Sequence, residues 1–228
     1  MSNLQHPALK SFGRRGGRPL SARQIHLMET LLPQRRVPLP DTGLLDPRDL
    51  RPGGGEVWFE IGFGGGEHPI GQALRRPDVT LLASEVFQEG LAKCLGLIDD
   101  HGVSNLFVWD EDARGLAERL CPASLDRVFI LFPDPWPKAR HRKRRLVQPD
   151  FLDLLARIVR PGGQVRFATD VRDYADEALV HFVNHTGFKW TAQKAHNWRE
   201  RPMDHIATRY ERKNIGDIAP VWYDFERC

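Results

Sequence analysis

The feature that most constrains this chain is the run Val57-Trp58-Phe59-Glu60-Ile61, which ends directly in the turn Gly62-Phe63-Gly64-Gly65-Gly66. A short apolar run bounded by glycines reads as a buried strand. Glycine serves where a chain turns sharply or approaches a ligand without a Cβ. The pattern then repeats. Thr80–Ser84, Asn105–Trp109, Arg127–Phe132 and Gln164–Ala168 predict four further strands, the last entered through Pro161-Gly162-Gly163. Amphipathic stretches predict helices over roughly 67–76, 87–99, 113–120 and 148–159, with a fifth over roughly 171–185 after the last strand. Apolar strands alternating with helices predict an α/β fold with a parallel sheet covered on both faces. In such sheets ligands bind beyond the carboxyl ends of the strands, near the switch point. The residues at the strand ends are therefore the candidate site.

The rest of the chain sets limits. Its 228 residues, 41% hydrophobic and 28% charged, suit one globular domain with appendages. No window approaches the ~20 apolar residues of a membrane span, so no membrane role is expected. Cys94, Cys121 and Cys228 form no C-x-x-C pair, which argues against zinc, against any other metal centre and against a disulfide framework, and fits a reducing cytoplasm. Arg14, Arg15 and Arg18 are followed by no apolar run, so the start is not a secretory signal, although an arginine-rich, acid-poor opening also resembles a transit peptide. Residues 1–52 form a basic arm and connector, with nine Lys/Arg against four Asp/Glu, whereas residues 53–228 carry 24 against 26 and form the main domain. A near-neutral body with a basic arm suits a polyanion partner, or else a solubilising tail. Within the arm, residues 1–19 are expected to be poorly ordered alone. A short helix is expected over 21–32, with Ser21 as N-cap, and residues 33–56, rich in Pro and Gly, read as a connector.

The glycine turn alone would serve nicotinamide, flavin or sulfonium cofactors. Two details favour the last. Gly62, Gly64 and Gly66 follow G-x-G-x-G, with Glu67 where the last glycine of the dinucleotide pattern would stand, and Glu60 lies two residues before the first glycine. A carboxylate there repels a pyrophosphate and attracts a sulfonium cofactor with an amino group, such as S-adenosylmethionine. A nicotinamide-dependent oxidoreductase is the reading these details disfavour. Glu85, at the end of the second strand and 19 residues beyond Gly66, is placed to accept hydrogen bonds from ribose hydroxyls. After the third strand come Asp110-Glu111-Asp112. One of these acids would take the adenine amine, with Asp112 preferred, and the others would cap the helix that begins near Ala113.

The acceptor side begins after the fourth strand. Phe132-Pro133-Asp134-Pro135-Trp136-Pro137-Lys138 places three prolines in five residues, which predicts a rigid, extended loop holding Asp134 and Trp136. An aromatic plane can stack on a nucleobase, and a carboxylate can accept from a guanine edge. Residues 138–145 carry six cations, Lys138 and Arg140 among them, expected to contact RNA phosphates. Asp170 ends the fifth strand, and Thr208-Arg209-Tyr210-Glu211, preceded by Ile206 and Ala207, reads as a strand.

Together these segments resemble the bacterial tRNA (guanine-N7)-methyltransferase family, the TrmB type. The resemblance is carried by Glu60–Gly64, Phe132–Trp136 through Lys138-Ala139-Arg140-His141, Arg144–Val147, Ala168–Asp170, Thr208-x-x-Glu211 and the opening Ser11–Arg18. It implies a Rossmann-like class I S-adenosylmethionine-dependent methyltransferase with a mostly parallel seven-stranded sheet. It implies methyl transfer to guanine 46 of the tRNA variable loop by a monomer or weak homodimer. Glu60, Gly62, Gly64, Gly66, Glu85, Asp112 and Asp134 would then surround the cofactor. Lys138, Arg140, Asp170, Thr208, Arg209, Tyr210 and Glu211 would face the acceptor, and Asp134 would be catalytic. Ser84 and Arg209-Tyr210 depart from the family's usual residues. A methyltransferase for another RNA base and a non-catalytic RNA-binding module remain as alternatives.

Overall fold

A computed structural model describes residues 17–228. Of the arginine-rich opening, only Gly17 and Arg18 fall among the described residues, so the expectation of poor order over 1–19 lies largely outside them. The first helix, α1 (Ala22–Thr30), begins at Ser21 in a capping box, in which the Ser21 hydroxyl accepts from the Gln24 amide and the Gln24 side chain accepts from the Ser21 amide. A short α2 (Leu32–Arg35) follows. The main body then alternates: β1 (Val57–Ile61), α3 (Glu67–Arg75), β2 (Thr80–Ser84), α4 (Gln88–His101), β3 (Leu106–Trp109), α5 (Ala113–Glu118), β4 (Leu125–Leu131), α6 (Pro149–Ile158), β5 (Val159–Thr169), α7 (Arg172–Asn184), β6 (Phe188–Trp190), α8 (His196–Arg199) and β7 (Val221–Arg227).

The seven strands form one sheet in the order β3-β2-β1-β4-β5-β7-β6. β1 to β5 run parallel, and β7 is antiparallel to both β5 and β6. The five strands read from the sequence are all present. Side chains alternate across the sheet. Val57, Phe59 and Ile61 pack with Leu116, Phe151, Leu155 and Ala178 of α5, α6 and α7, while Trp58 packs with Ile70, Leu91 and Leu95 of α3 and α4 and with Leu27 of α1. Helices thus cover both faces. The chain order reverses between β1 and β4, so the crevice beyond their carboxyl ends is the switch point where an open α/β sheet takes its ligand. The glycine turn leaves β1 there, and the proline loop leaves β4.

The connector is not loose. The Val37 amide donates to the Val108 carbonyl at 2.9 Å, Leu45 bridges to Leu120, and Leu27 and Leu32 are buried. One expectation fails: residues 206–210 form no strand, and a single 3-10 turn follows at Glu211–Lys213. The edge of β5 that such a strand would join is already taken by β7, and Glu211 ties the segment into a local turn by accepting from both the amide and the hydroxyl of Thr208. Among the described residues, no helix is long and apolar enough to cross a membrane.

Candidate functional site

The glycine turn owes its shape to three residues with positive φ, Gly62 at 74°, Gly64 at 60° and Gly66 at 87°. An L side chain would strain each of them. Gly90 of α4 lets the helix approach the turn, since a Cβ at this position would lie 2.3 Å from the Gly64 carbonyl oxygen. Glu85, at the end of β2, fixes the turn from the other side. One of its carboxylate oxygens accepts from the Gly64 amide at 2.8 Å and the other from the Phe87 amide at 2.9 Å. Burial pushes the Glu85 pKa up, against the pull of these amides.

Around the turn opens a cleft of two lobes that share Gly62, Glu85, Phe132 and Asp134. The first lobe, of about 210 Å³, is lined further by Ser84, Val86, Glu111, Asp112, Trp136 and Arg144. The second, of about 280 Å³, is lined by Glu60, Gly64, Glu67, Thr208, Arg209 and Tyr210. Asp134 therefore stands where the lobes meet. Crowding by the cleft walls, which removes part of its hydration, raises its pKa.

The three acids after β3 divide their work differently from the sequence reading. Arg36 of the connector pairs with Asp110 at 2.7 Å and Glu111 at 2.6 Å while its guanidinium lies 4.9 Å from the Trp109 ring centroid. Asp112 both lines the cleft and caps α5, accepting from the Arg114 amide at 2.9 Å. Capping thus falls to the residue reserved for adenine, because the other two acids are drawn to Arg36. Glu60 is buried, and one of its oxygens accepts from His68 Nδ1 at 2.6 Å.

The proline loop is not uniformly extended. Phe132 and Trp136 take φ of 52° and 42°, a left-handed bend on either side of Asp134, and such bends persist only where surrounding structure holds them. Arg145 supplies that hold. Its fully buried guanidinium donates to the Pro135 carbonyl at 2.8 Å and pairs with Asp173 and Glu177 of α7, each at 2.6 Å. The expected phosphate contact is therefore corrected for Arg145, which is buried inside the domain, and Arg142 spends its charge on Asp173 at 2.7 Å. Arg144 lies 5.1 Å from the Trp136 ring centroid. Lys138, Arg140 and Lys143 are exposed, and among the described residues no carboxylate pairs with them.

The remaining candidates sort by depth. Thr208, Arg209 and Tyr210 line the second lobe, and Arg209 reaches Glu67 at 3.3 Å. Asp170 is buried behind them and accepts from the Tyr210 hydroxyl at 3.2 Å. Burial, then the Asp170 carboxylate, pushes the Tyr210 pKa up to about 12. Glu211 turns away from the lobe to Thr208 and to His205 at 2.8 Å. Gly66 faces Cys94, whose Cβ lies 2.7 Å from where a Cβ would stand. Sequence reasoning missed His68, His205, Gly90 and the role of Arg145. His68 and His205 lie 137 positions apart, and no local pattern signals such a pair. Among the described residues, no group of three or more His, Cys, Asp or Glu could hold a metal ion.

A family of proteins described as putative methyltransferase matches residues 55–222. The tRNA (guanine-N(7)-)-methyltransferase of Hyphomonas neptunium is 52% identical over 217 residues, covering 95% of this chain and 99% of its own. The protein of the same name from Roseobacter denitrificans is 42% identical, with 100% of both chains covered. Among solved structures, the 16S rRNA methyltransferase KamB superposes with a TM-score of 0.56 at 18% identity, covering 85% of this chain and 99% of that one. An aminoglycoside resistance methyltransferase superposes at 0.54 and 16%, covering 82% and 95%. At these identities the two structures establish the Rossmann-like class I methyltransferase fold.

Proposed function

This chain belongs to the tRNA (guanine-N(7)-)-methyltransferase family, and from that premise we propose that it methylates N7 of guanine 46 in the variable loop of tRNA. The observation that carries this reading is the place of Asp134 at the junction of the two lobes. S-adenosylmethionine, when bound, supplies an electrophilic methyl group on a sulfonium. The cleft suits such a cationic cofactor: the turn carries no Cβ at Gly62, Gly64, Gly65 or Gly66, and Glu60, Glu85, Asp112 and Asp134 surround it with carboxylates. A pyrophosphate would meet repulsion from the same set.

Guanine N7 carries an exposed lone pair, so the chain need supply no general base. Its residues act by placement. Glu85 and the glycine turn hold the cofactor's ribose and methionine sides, and Asp112 the adenine side. Thr208, Arg209 and Tyr210 hold the guanine in the second lobe, with Asp170 steadying Tyr210 from behind. Alignment of this kind contributes roughly 7–11 kcal/mol. As the methyl group passes, positive charge grows on the guanine ring, and the Asp134 carboxylate stabilises it. Lys138 and Arg140 hold the RNA backbone beside the cleft. The reading places the enzyme in the cytoplasm with its tRNA, as a monomer or weak homodimer.

In single-turnover methyl transfer to unmodified tRNA, Asp134→Ala should slow the chemical step by about 10²–10³-fold, the size of losing one transition-state electrostatic contact. Asp134→Asn should lose less. An Asp134→Ala enzyme as fast as wild type would remove the residue from the mechanism.

A further inference from the structure

Behind the second lobe, two buried histidines that neither the cofactor nor the acceptor reading uses join Glu60 to Glu211 in a row. Glu60 accepts from His68 Nδ1 at 2.6 Å. The His68 ring stacks on the His205 ring, with centroids 5.0 Å apart and planes 28° apart. His205 Nε2 meets the Glu211 carboxylate at 2.8 Å, and the same oxygen accepts from the amide and hydroxyl of Thr208. The rings are wedged between Phe129 of β4 and Trp222 of β7, at 5.0 and 4.3 Å. One end of the row is thus the carboxylate of β1 beside the glycine turn, and the other is the first residue of the acceptor segment.

The protonation pattern is consistent from end to end. With its proton on Nδ1 for Glu60, His68 leaves Nε2 to accept from the Gln72 amide at 3.2 Å. With its proton on Nε2 for Glu211, His205 leaves a buried Nδ1 that finds no partner among the described residues. Burial, together with the neighbouring His68 and Arg201, holds the His205 pKa low against the pull of Glu211. The His205 ring is therefore neutral at physiological pH, with its proton on Nε2.

The segment around His205 is also fastened to α3. The Gln72 side chain donates to the Asp204 carbonyl at 2.7 Å, and Ile206 lies so close to Gly71 that a Cβ there would stand 2.3 Å from its Cδ1. Asp204 itself bridges Arg127 and Arg166, each at 2.7 Å. Packed interiors of this kind transmit displacement between discrete arrangements and do not deform smoothly.

We propose that His68 and His205 are positioning residues which, by stacking between Glu60 and Glu211, couple the cofactor side of the cleft to the acceptor segment Thr208–Glu211. Occupation of the cofactor side fixes Glu60, and through the two rings it fixes Thr208 in the place where guanine meets it. The inference rests on the proposed assignment of the two lobes.

Coupling is a free energy between two ligands and is reciprocal, so binding measures it apart from catalysis. The affinity of the full-length protein for unmodified tRNA would be measured with and without saturating S-adenosylhomocysteine. Wild type should show a change of about fivefold or more, the lower end of common coupling. His205→Phe keeps a ring against His68 and Trp222 but loses the bond to Glu211. His68→Phe keeps the stack but loses the bond to Glu60. Each should reduce the change to less than about twofold while still melting cooperatively, and His205→Gln, which restores a donor to Glu211, should recover it. Either phenylalanine variant suffices if the other does not fold. A folded phenylalanine variant that keeps the wild-type coupling overturns the proposal. So does a wild-type enzyme that methylates tRNA yet binds the two ligands independently, which would leave the activity standing. A wild-type protein that transfers no methyl group overturns both readings.

Discussion

The two halves of the cleft are built by different means. On the side proposed for the cofactor, each candidate residue sits at or just past the carboxyl end of a parallel strand: Glu60 and the glycine turn at the end of β1, Glu85 after β2, Asp112 after β3. The sheet's hydrogen bonds and apolar packing set these positions, and few side chains are needed to hold them. On the side proposed for the acceptor, the proline loop and residues 204–211 have irregular backbone. Their shape is held by buried polar groups from distant parts of the chain, Arg145 under the loop and His205 under the segment. A regular scaffold fixes a site through its backbone, whereas an irregular one needs side-chain anchors whose loss is felt as a whole.

The sharpest way to break this comparison is to remove the anchor. Arg145→Ala should cost about 1–3 kcal/mol, because it leaves the partly buried Pro135 carbonyl without its donor and removes the cation that ties the loop to Asp173 and Glu177. Lys143→Ala, two residues earlier and exposed, should shift stability by no more than about 0.5 kcal/mol. Thermal melts of the two variants read the difference. Equal melting temperatures would show that the loop does not depend on its anchor.

A smaller effect is expected from the exposed cations. Replacing Lys138, Arg140 and Lys143 by Ala should leave the fold intact, raise the apparent KM for tRNA by about tenfold and flatten its salt dependence, each lost phosphate contact removing about 0.7–0.9 from the log–log slope. An unchanged slope measured across a salt titration would place RNA elsewhere on the surface.

The smallest effect concerns Asp134. Its folded pKa is raised by partial burial, so its ionised form opposes folding. Whatever stability the protonated form gives is present below the unfolded pKa and is lost as pH rises through the raised folded value. Asp134→Asn should therefore melt slightly above wild type at neutral pH, with the gap closing as pH falls through the carboxylate range. A variant less stable than wild type at neutral pH would show that the carboxylate is held by favourable contacts.

The same contrast explains how much could be read from the sequence. The five parallel strands and their helices were legible because apolar runs and glycine turns are local signals, and the residues proposed for the cofactor were named from the ends of those strands. β6, three residues long, and β7, separated from β5 by more than fifty residues, were not, because the edge they occupy is decided by pairing and not by pattern. Residues 206–210 looked like a strand for the same reason in reverse: the local composition allows one, but β7 holds the only edge of β5 that β4 leaves open. Arg145 stood in a run of cations and gave no sign that it alone turns inward. Asp112, the acid preferred for adenine, lines the cleft, but the capping role expected of its neighbours fell to it because of Arg36, 76 positions away.

The most direct test of the account is methyl transfer from labelled S-adenosylmethionine to unmodified tRNA, followed by chemical cleavage at N7-methylguanine. The account predicts cleavage at a single guanine, position 46 in the variable loop. Label on another base, or no label on tRNA from an enzyme that binds the cofactor, would contradict it.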